Sequence, residues 1–480
     1  MTFSPHPRIL TATAGAALLL ASCAVGPKAP DATLPPLASG AFIGSTSASV
    51  TAQSAARDDW WRLYNDPVLD GLIGQALVEN NELEAAAANL RRVRAALGES
   101  RAGRFPSTTA QAGYTNSRAS AATLPAGSLP PGQNAPDVDT YNAGLDVSYE
   151  IDLFGRVEST IRAARADADA AAAALDIVRV TVAAETARAY ADACSANAQI
   201  AVAERTIELQ SNTVTLTQGL LDAGSGNGLD TARARSALEA SRASLPPLRA
   251  QRDGALFRLT TLTGRTPAEA SEAARSCARP PQLTQPIPIG DGAALLARRP
   301  DVRQAERNLA AAAARVNVAT ASLYPSISLG GSLGSTALDA GDLGEDSNFR
   351  FSVGPLISWS FPNIAVARSR IAQAGAGSDA ALATFDQTVL AALQETETAL
   401  SAYANELDRR TALQSARDQA ARAAHLSRLR FDAGVDSFLT VLDAERTLAG
   451  ADAQLAASDA LVTTYQISLF KALAGGWSEG

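Results

Sequence analysis

The chain has 480 residues, a net charge of −8 at pH 7 and a mean hydropathy near zero. The acidic balance argues against a nucleic-acid partner, which leaves a basic footprint. Two histidines, His6 and His425, offer no ligand spacing for a metal and no base for the many serines and threonines, and the glycines fit no phosphate loop. Neither an enzyme nor a cofactor is expected.

Arg8 precedes an apolar run over 9–21, too short to span a bilayer and shaped like a secretory signal. The run ends in Leu20-Ala21-Ser22-Cys23, which resembles a bacterial lipobox. That resemblance implies removal of 1–22 as a signal peptide, a thioether lipid on Cys23 and acylation of the new amino terminus. Two signals anchor stably where a single chain is marginal. The alternative is an ordinary signal cut nearby, with Cys23 incidental. Residues 23–58, rich in Pro, Ala, Ser and Gly, read as a lipidated tether. No later run is long enough for a transmembrane helix, so the exported chain has to be soluble, lipid-anchored or a β-barrel. The remaining cysteines, Cys194 and Cys277, either pair in an oxidising compartment or stay buried thiols, and the sequence leaves both open.

Trp60-Trp61-Arg62-Leu63-Tyr64 opens a first repeat over 59–264. Apolar residues at Leu69, Leu72, Ile73, Ala76, Leu83, Ala87, Leu90 and Val93 predict one helix from Val68 to Arg104. Thr108 to Tyr114 alternates weakly as a strand, and 117–138 has the Pro and Gly content of a long surface loop. Tyr141 to Leu153 then alternates throughout. Tyr141, Ala143, Leu145, Val147, Tyr149, Ile151 and Leu153 are apolar, and every residue between them is polar or glycine. That is a strand with one apolar and one polar face. Arg156 to Leu221 lacks proline and would reach roughly 100 Å as a helix at 1.5 Å per residue. It breaks at Gly224-Ser225-Gly226-Asn227-Gly228. A return helix from Leu229 to Leu262 is expected to be interrupted at Pro246-Pro247.

Residues 265–295 carry many prolines and read as irregular. A second repeat over 296–475 restarts the plan. A helix over Ala293–Leu323 is broken by Pro300, and a strand carries Ile327, Leu329 and Leu333. A loop at 337–347 and a strand over Phe349–Phe361 follow. A long helix over Ala365–Phe431, a break at Gly434, a return helix over Phe438–Leu473 and a tail at 476–480 complete the chain. Trp359, Asp386, Gly434 and Leu439 follow Tyr149, Asp176, Gly224 and Leu229 by about 210 residues, which marks an internal duplication.

The strands have faces fit for lipid on one side and water on the other. Membrane strands must close into a barrel, and four cannot close, since single-chain barrels begin at about eight. The expected class is therefore mainly α with a β-barrel portion, four strands per protomer, shared among several copies. A small soluble sheet packed on helices would leave the very long proline-free helices unexplained.

The chain resembles the outer membrane factor family, the TolC-like efflux proteins, and most closely its lipoprotein branch of the NodT type. The marks are Cys23-Ala24-Val25-Gly26-Pro27, Trp60-Trp61, Tyr149-Glu150-Ile151-Asp152-Leu153-Phe154-Gly155-Arg156 and Leu296-Ala297-Arg298-Arg299-Pro300-Asp301-Val302. Ala321-Ser322-Leu323-Tyr324-Pro325-Ser326 and the run from Gly434 to Ala444 complete them. The resemblance implies a homotrimer with one twelve-stranded barrel in the outer membrane and a helical tunnel into the periplasm. It further implies a passive exit duct, reached by a periplasmic adaptor (a membrane fusion protein) and an inner-membrane transporter of the RND type. The segment 265–295 would belong to an equatorial belt. A protein-secretion duct of the same fold differs only in its partners. A periplasmic adaptor lipoprotein would lack the paired membrane-type strands and the duplication.

Matching along Gly434-Val435-Asp436-Ser437-Phe438-Leu439 carries the family's periplasmic gate to Leu439 and Asp443. Three copies around one axis would form an apolar constriction and a carboxylate ring. Arg446, three residues past Asp443, can pair with it on one helix face. Asp436 is either a gate residue or the cap of the return helix. The adaptor is expected at the helix tips, around Leu221, Gly224, Phe431 and Gly434.

Overall fold

Strict alternation in a few segments and long alanine-rich runs elsewhere sort this chain into strands and helices with little between. The structure, a computed structural model, describes residues 25–473 except 29, 31, 48, 53, 55–56, 124, 126–129, 131–132 and 360–363. The signal 1–22, Cys23, the Phe361 end of the last expected strand and the tail 476–480 lie outside the described residues. In chain order the main elements are β1 (Val50–Thr51), α1 (Pro67–Glu79), α2 (Asn81–Ala102), β2 (Ser107–Arg118) and β3 (Asp137–Ile151). Then come α3 (Arg156–Asp222), α4 (Gly228–Leu262), α5 (Glu272–Arg275), β4 (Ile287–Pro288), α6 (Gly292–Arg298) and α7 (Pro300–Ala321). The chain ends in β5 (Ser326–Ala337), β6 (Phe349–Ser358), α8 (Ile364–Asp432) and α9 (Phe438–Leu473). They fall into two units, one drawn mainly from 91–169 and 307–383, the other from 32–90, 170–306 and the chain from 384 onward.

The first unit holds a four-stranded antiparallel sheet in the order β2-β3-β5-β6. Register aligns the apolar rows: Leu145 pairs with Leu333, which pairs with Phe351, and Ile151 pairs with Ile327, which pairs with Ile357. The polar rows align too, because a period of two carries whole rows to one face. Asp146 lies opposite Ser332 and Ser332 opposite Ser352, whose hydroxyls meet at 2.7 Å. Leu145, Tyr149, Leu329, Leu333, Phe351, Val353 and Ile357 are all exposed. The sheet therefore has no core on its apolar side. Beneath it, Leu97 packs on Val157, Ile161 and Ala168. Asp152 starts α3 by accepting the N–H groups of Val157 and Glu158, and Phe154 stacks on Tyr324 with ring centroids 4.7 Å apart.

The second unit is built around Trp60, whose ring stacks on Phe470 at 4.8 Å, with Leu69, Ile73, Tyr190, Leu256 and Leu473 in the same cluster. Several expectations are corrected here. The single helix expected from Val68 to Arg104 is two, because Asn80 ends α1 and caps α2. Its side chain accepts from the N–H groups of Glu82 and Leu83 and donates to the carbonyl of Leu262. Conversely, α4 runs unbroken through Pro246 and Pro247. The carbonyls that lose donors there belong to Arg242 and Ala243, exposed positions open to solvent that can take the place of the missing bonds. The tether is not free along its length. Ala38, Phe42 and Val50 are buried, the N–H groups of Ile43 and Gly44 donate to Glu397, and β1 pairs in parallel with β4.

Cys194 of α3 and Cys277 are joined by a disulfide, with their Cα atoms 5.0 Å apart. Asn197 fastens the same loop by donating to the carbonyls of Arg275 and Cys277. At the head of α7, Arg299 is buried and donates to Asp301, Glu395 and the carbonyl of Ala472.

Candidate functional site

Both long helices end in the same hydrogen-bonded turn. Gly224 and Gly434 take φ of 72° and 73°, the left-handed region that glycine adopts without a Cβ penalty. In the first break the N–H of Gly224 donates to Leu221 and that of Ser225 to Leu220. In the second, the N–H of Gly434 donates to Phe431 and that of Val435 to Arg430, at 2.8 and 2.9 Å. This double closure is the Schellman stop, and its recurrence is the structural face of the duplication. Phe431 meets Phe438 edge-on at 6.0 Å across the second break, and Phe438 and Leu442 pack on Ala234 of α4.

Asp436 lies inside that second break and does not cap α9. Its carboxylate accepts from two guanidinium nitrogens of Arg430, Nε and Nη2, at 2.8 and 3.0 Å. Those hydrogen bonds hold its carboxyl below the usual carboxylate range. Leu439 stands half exposed on the first turn of α9, and Asp443 is exposed one turn further on. Among the described residues no ion pair joins Asp443 to Arg446, contrary to the spacing-based expectation. Arg446 instead lines a neighbouring cavity.

Two features near these residues have no signature in the sequence. Glu445 accepts from Arg428 of α8 at 2.9 Å and from Thr213 of α3 at 3.0 Å, so one carboxylate ties three helices together. Thr213 precedes Glu445 by 232 residues, and no periodicity connects them. The pairing of Arg430 with Asp436, by contrast, could have been read from opposite charges flanking a tight break. The second feature is a half-open cavity of about 650 Å³ lined by α3, α4 and α9. Helix α3 contributes Val202 and Thr206, α4 contributes Arg233, Ala237 and Ser241, and α9 contributes Leu439, Arg446 and Ala453.

This arrangement has close relatives. The family model described as outer membrane efflux protein matches residues 72–265 and 293–475. The chain is 31% identical over 470 residues to the pyoverdine export outer membrane protein OpmQ of Pseudomonas aeruginosa, covering 96% of each. To the antibiotic efflux pump outer membrane protein ArpC of Pseudomonas putida it is 30% identical over 480 residues, covering 98% of this chain and 96% of that one. The fold matches the outer-membrane channel OprN with a TM-score of 0.87 at 35% identity, over 95% of this chain and 100% of the other. It matches the open state of the Neisseria gonorrhoeae MtrE outer membrane channel with a TM-score of 0.78 at 26% identity, over 94% and 98%. Matched over most of its length by the family model and nearly end to end by its relatives, the chain belongs to the outer membrane efflux protein family.

Proposed function

We propose that this outer membrane efflux protein works as a homotrimeric, passive exit duct of a tripartite pump that exports small molecules. The observation that carries the reading is the sheet. It has one continuous apolar face, one polar face, and two edge strands, β2 and β6, without a second neighbour among the described residues. In hydrocarbon an unpaired strand edge leaves every exposed N–H and C=O unsatisfied, so the edges must meet. Four strands from each of three copies give a twelve-stranded barrel, within the size range of known membrane barrels. The apolar rows then face lipid and the rows of Asp146, Ser332 and Ser352 face the lumen.

An adaptor and an inner-membrane transporter of the RND type would supply contact and energy. The adaptor would meet the helix tips around Leu221, Gly224, Phe431 and Gly434. Leu439 and Asp443 would narrow the periplasmic end, with Asp436 and Arg446 beside them, until the adaptor opens it. Cys23, lipidated after removal of 1–22, would anchor each protomer. The two repeats, 59–264 and 296–475, would build the duct and 265–295 its belt. Supporting the small-molecule reading, the relatives are named for export of pyoverdine and antibiotics.

The test is single-channel conductance in planar bilayers. Leu439→Ala combined with Asp443→Ala removes both the apolar constriction and the carboxylate ring, and conductance should rise several-fold, because such rings set both wetting and ion selection. Conductance equal to the parent would remove these residues from the gate.

A further inference from the structure

The cavity between α3, α4 and α9 has a composition that the duct reading does not require. About half of its lining is alanine and leucine, and the rest includes the amides of Gln199 and Gln210 and the hydroxyls of Thr206, Ser236, Ser241 and Ser244. Among the described residues its charged lining residues are Arg233 and Arg446, and no described carboxylate lines it. Of the nearby acids, Asp443 is exposed and has no ion pair among the described residues. Glu445 binds Arg428 and Thr213, and Asp230 accepts from Asn227 at 2.7 Å and forms a longer ion pair with Arg233 at 3.7 Å. Arg446 has no ion pair among the described residues. An apolar body of drug size fits a space of about 650 Å³, within the usual range for ligand cavities. Two guanidinium groups beside it present forked donors for a carboxylate or sulfonate.

We propose that this cavity holds amphipathic organic anions in transit, with the apolar body against the alanine-rich walls and the acid group on Arg446 and Arg233. The proposal rests on the export reading and gives it a cargo class. It also resolves a physical difficulty in that reading. A ring of Asp443 carboxylates repels anions, and Arg446, one turn away on the same helix, supplies the opposite charge beside it. The ligand gains both halves of its recognition at one place: area removed from water along α3 and α4, and charge-assisted hydrogen bonds from α4 and α9.

The experiment uses the full-length protein in lipid nanodiscs, titrated calorimetrically with naphthalene-2-sulfonate and with the matched cation 2-naphthylmethylammonium, empty nanodiscs being subtracted. The sulfonate should bind at least tenfold more tightly than the cation. Arg446→Gln should weaken sulfonate binding about tenfold, the loss of one charge-assisted contact. Arg446→Lys should recover part of it, and Ala453→Phe, which fills the cavity, should abolish it. Arg242→Gln is the control, since Arg242 pairs with Glu239 outside the cavity. Equal binding of both probes, indifference to Arg446→Gln, or no binding because a neighbouring copy fills the space would each overturn the proposal. Bilayer conductance of the same preparations separates the two readings. Channels without anion binding sink only the cavity proposal, whereas absence of channels sinks the duct itself.

Discussion

Arg299 shows how much a single side chain does in the second unit. It is 6% exposed, and its guanidinium reaches Asp301, Glu395 and the carbonyl of Ala472 near the end of α9. Burial works against its charge, but the hydrogen bonds to Asp301 and Glu395 outweigh that and leave it held more firmly protonated than usual. Arg299→Met strands two carboxylates and one carbonyl. Glu395 is well exposed and screened, so the loss should be about 2–3 kcal/mol rather than the larger cost of a fully buried pair. A lowered thermal midpoint of the solubilised protein checks this, and Arg299→Lys should restore little, since an ammonium cannot fork. An unchanged midpoint would make Arg299 a bystander. In the sequence, Arg299 stood out only within a resemblance, because acceptors 96 and 173 residues away leave no local pattern. Leu439 and Asp443 were reached the same way, through the run after Gly434. The opposite failure is Arg446, where i,i+3 spacing allowed a pair with Asp443 that α9 does not make.

At the scale of elements, what could be read was whatever depends on local period. The strand at 141–153 announced itself because alternation is a property of the strand alone, and the class expected from it, mainly helix with a membrane-type sheet, is the class observed. What could not be read was anything decided by distant partners. Asn80 divides α1 from α2 by bonding to Leu262, and α4 keeps its course through two prolines because its freed carbonyls face water. The order β2-β3-β5-β6 joins the two repeats through β3 and β5, a pairing of segments nearly two hundred residues apart. The link between Cys194 and Cys277 belongs here too, since it spans 83 residues of chain. Closing a loop of that order restrains the unfolded chain, so Cys194→Ser with Cys277→Ser should lower unfolding free energy by about 2–4 kcal/mol. Denaturant titration of the parent and the double variant measures the difference. Alkylation of both thiols after unfolding without reductant would show that the bond does not form.

For the whole molecule the decisive question is how many copies share one barrel. Chemical cross-linking and native mass of the detergent-extracted outer membrane fraction should give three protomers. Each should carry the mass of a diacylglyceryl thioether and an amide-linked acyl chain at Cys23, with 1–22 absent. A monomer in the soluble periplasmic fraction would confine the strands to a small internal sheet. A trimer without lipid would make Cys23 incidental and leave the barrel to hold the protein in the membrane.

The sheet with two open edges also has a bearing on time. Until its neighbours arrive, a newly exported protomer presents a wall of leucine, phenylalanine and valine to water, flanked by two ladders of unanswered backbone groups. Among the described residues nothing covers that wall, so the four strands gain their stability by mass action between copies. The helical unit, with its own tryptophan-centred core, is under no such constraint. Biogenesis should therefore pass through a stage in which the helices are settled while the strands still wait, and exposed edges of that kind are where chains aggregate or require a chaperone.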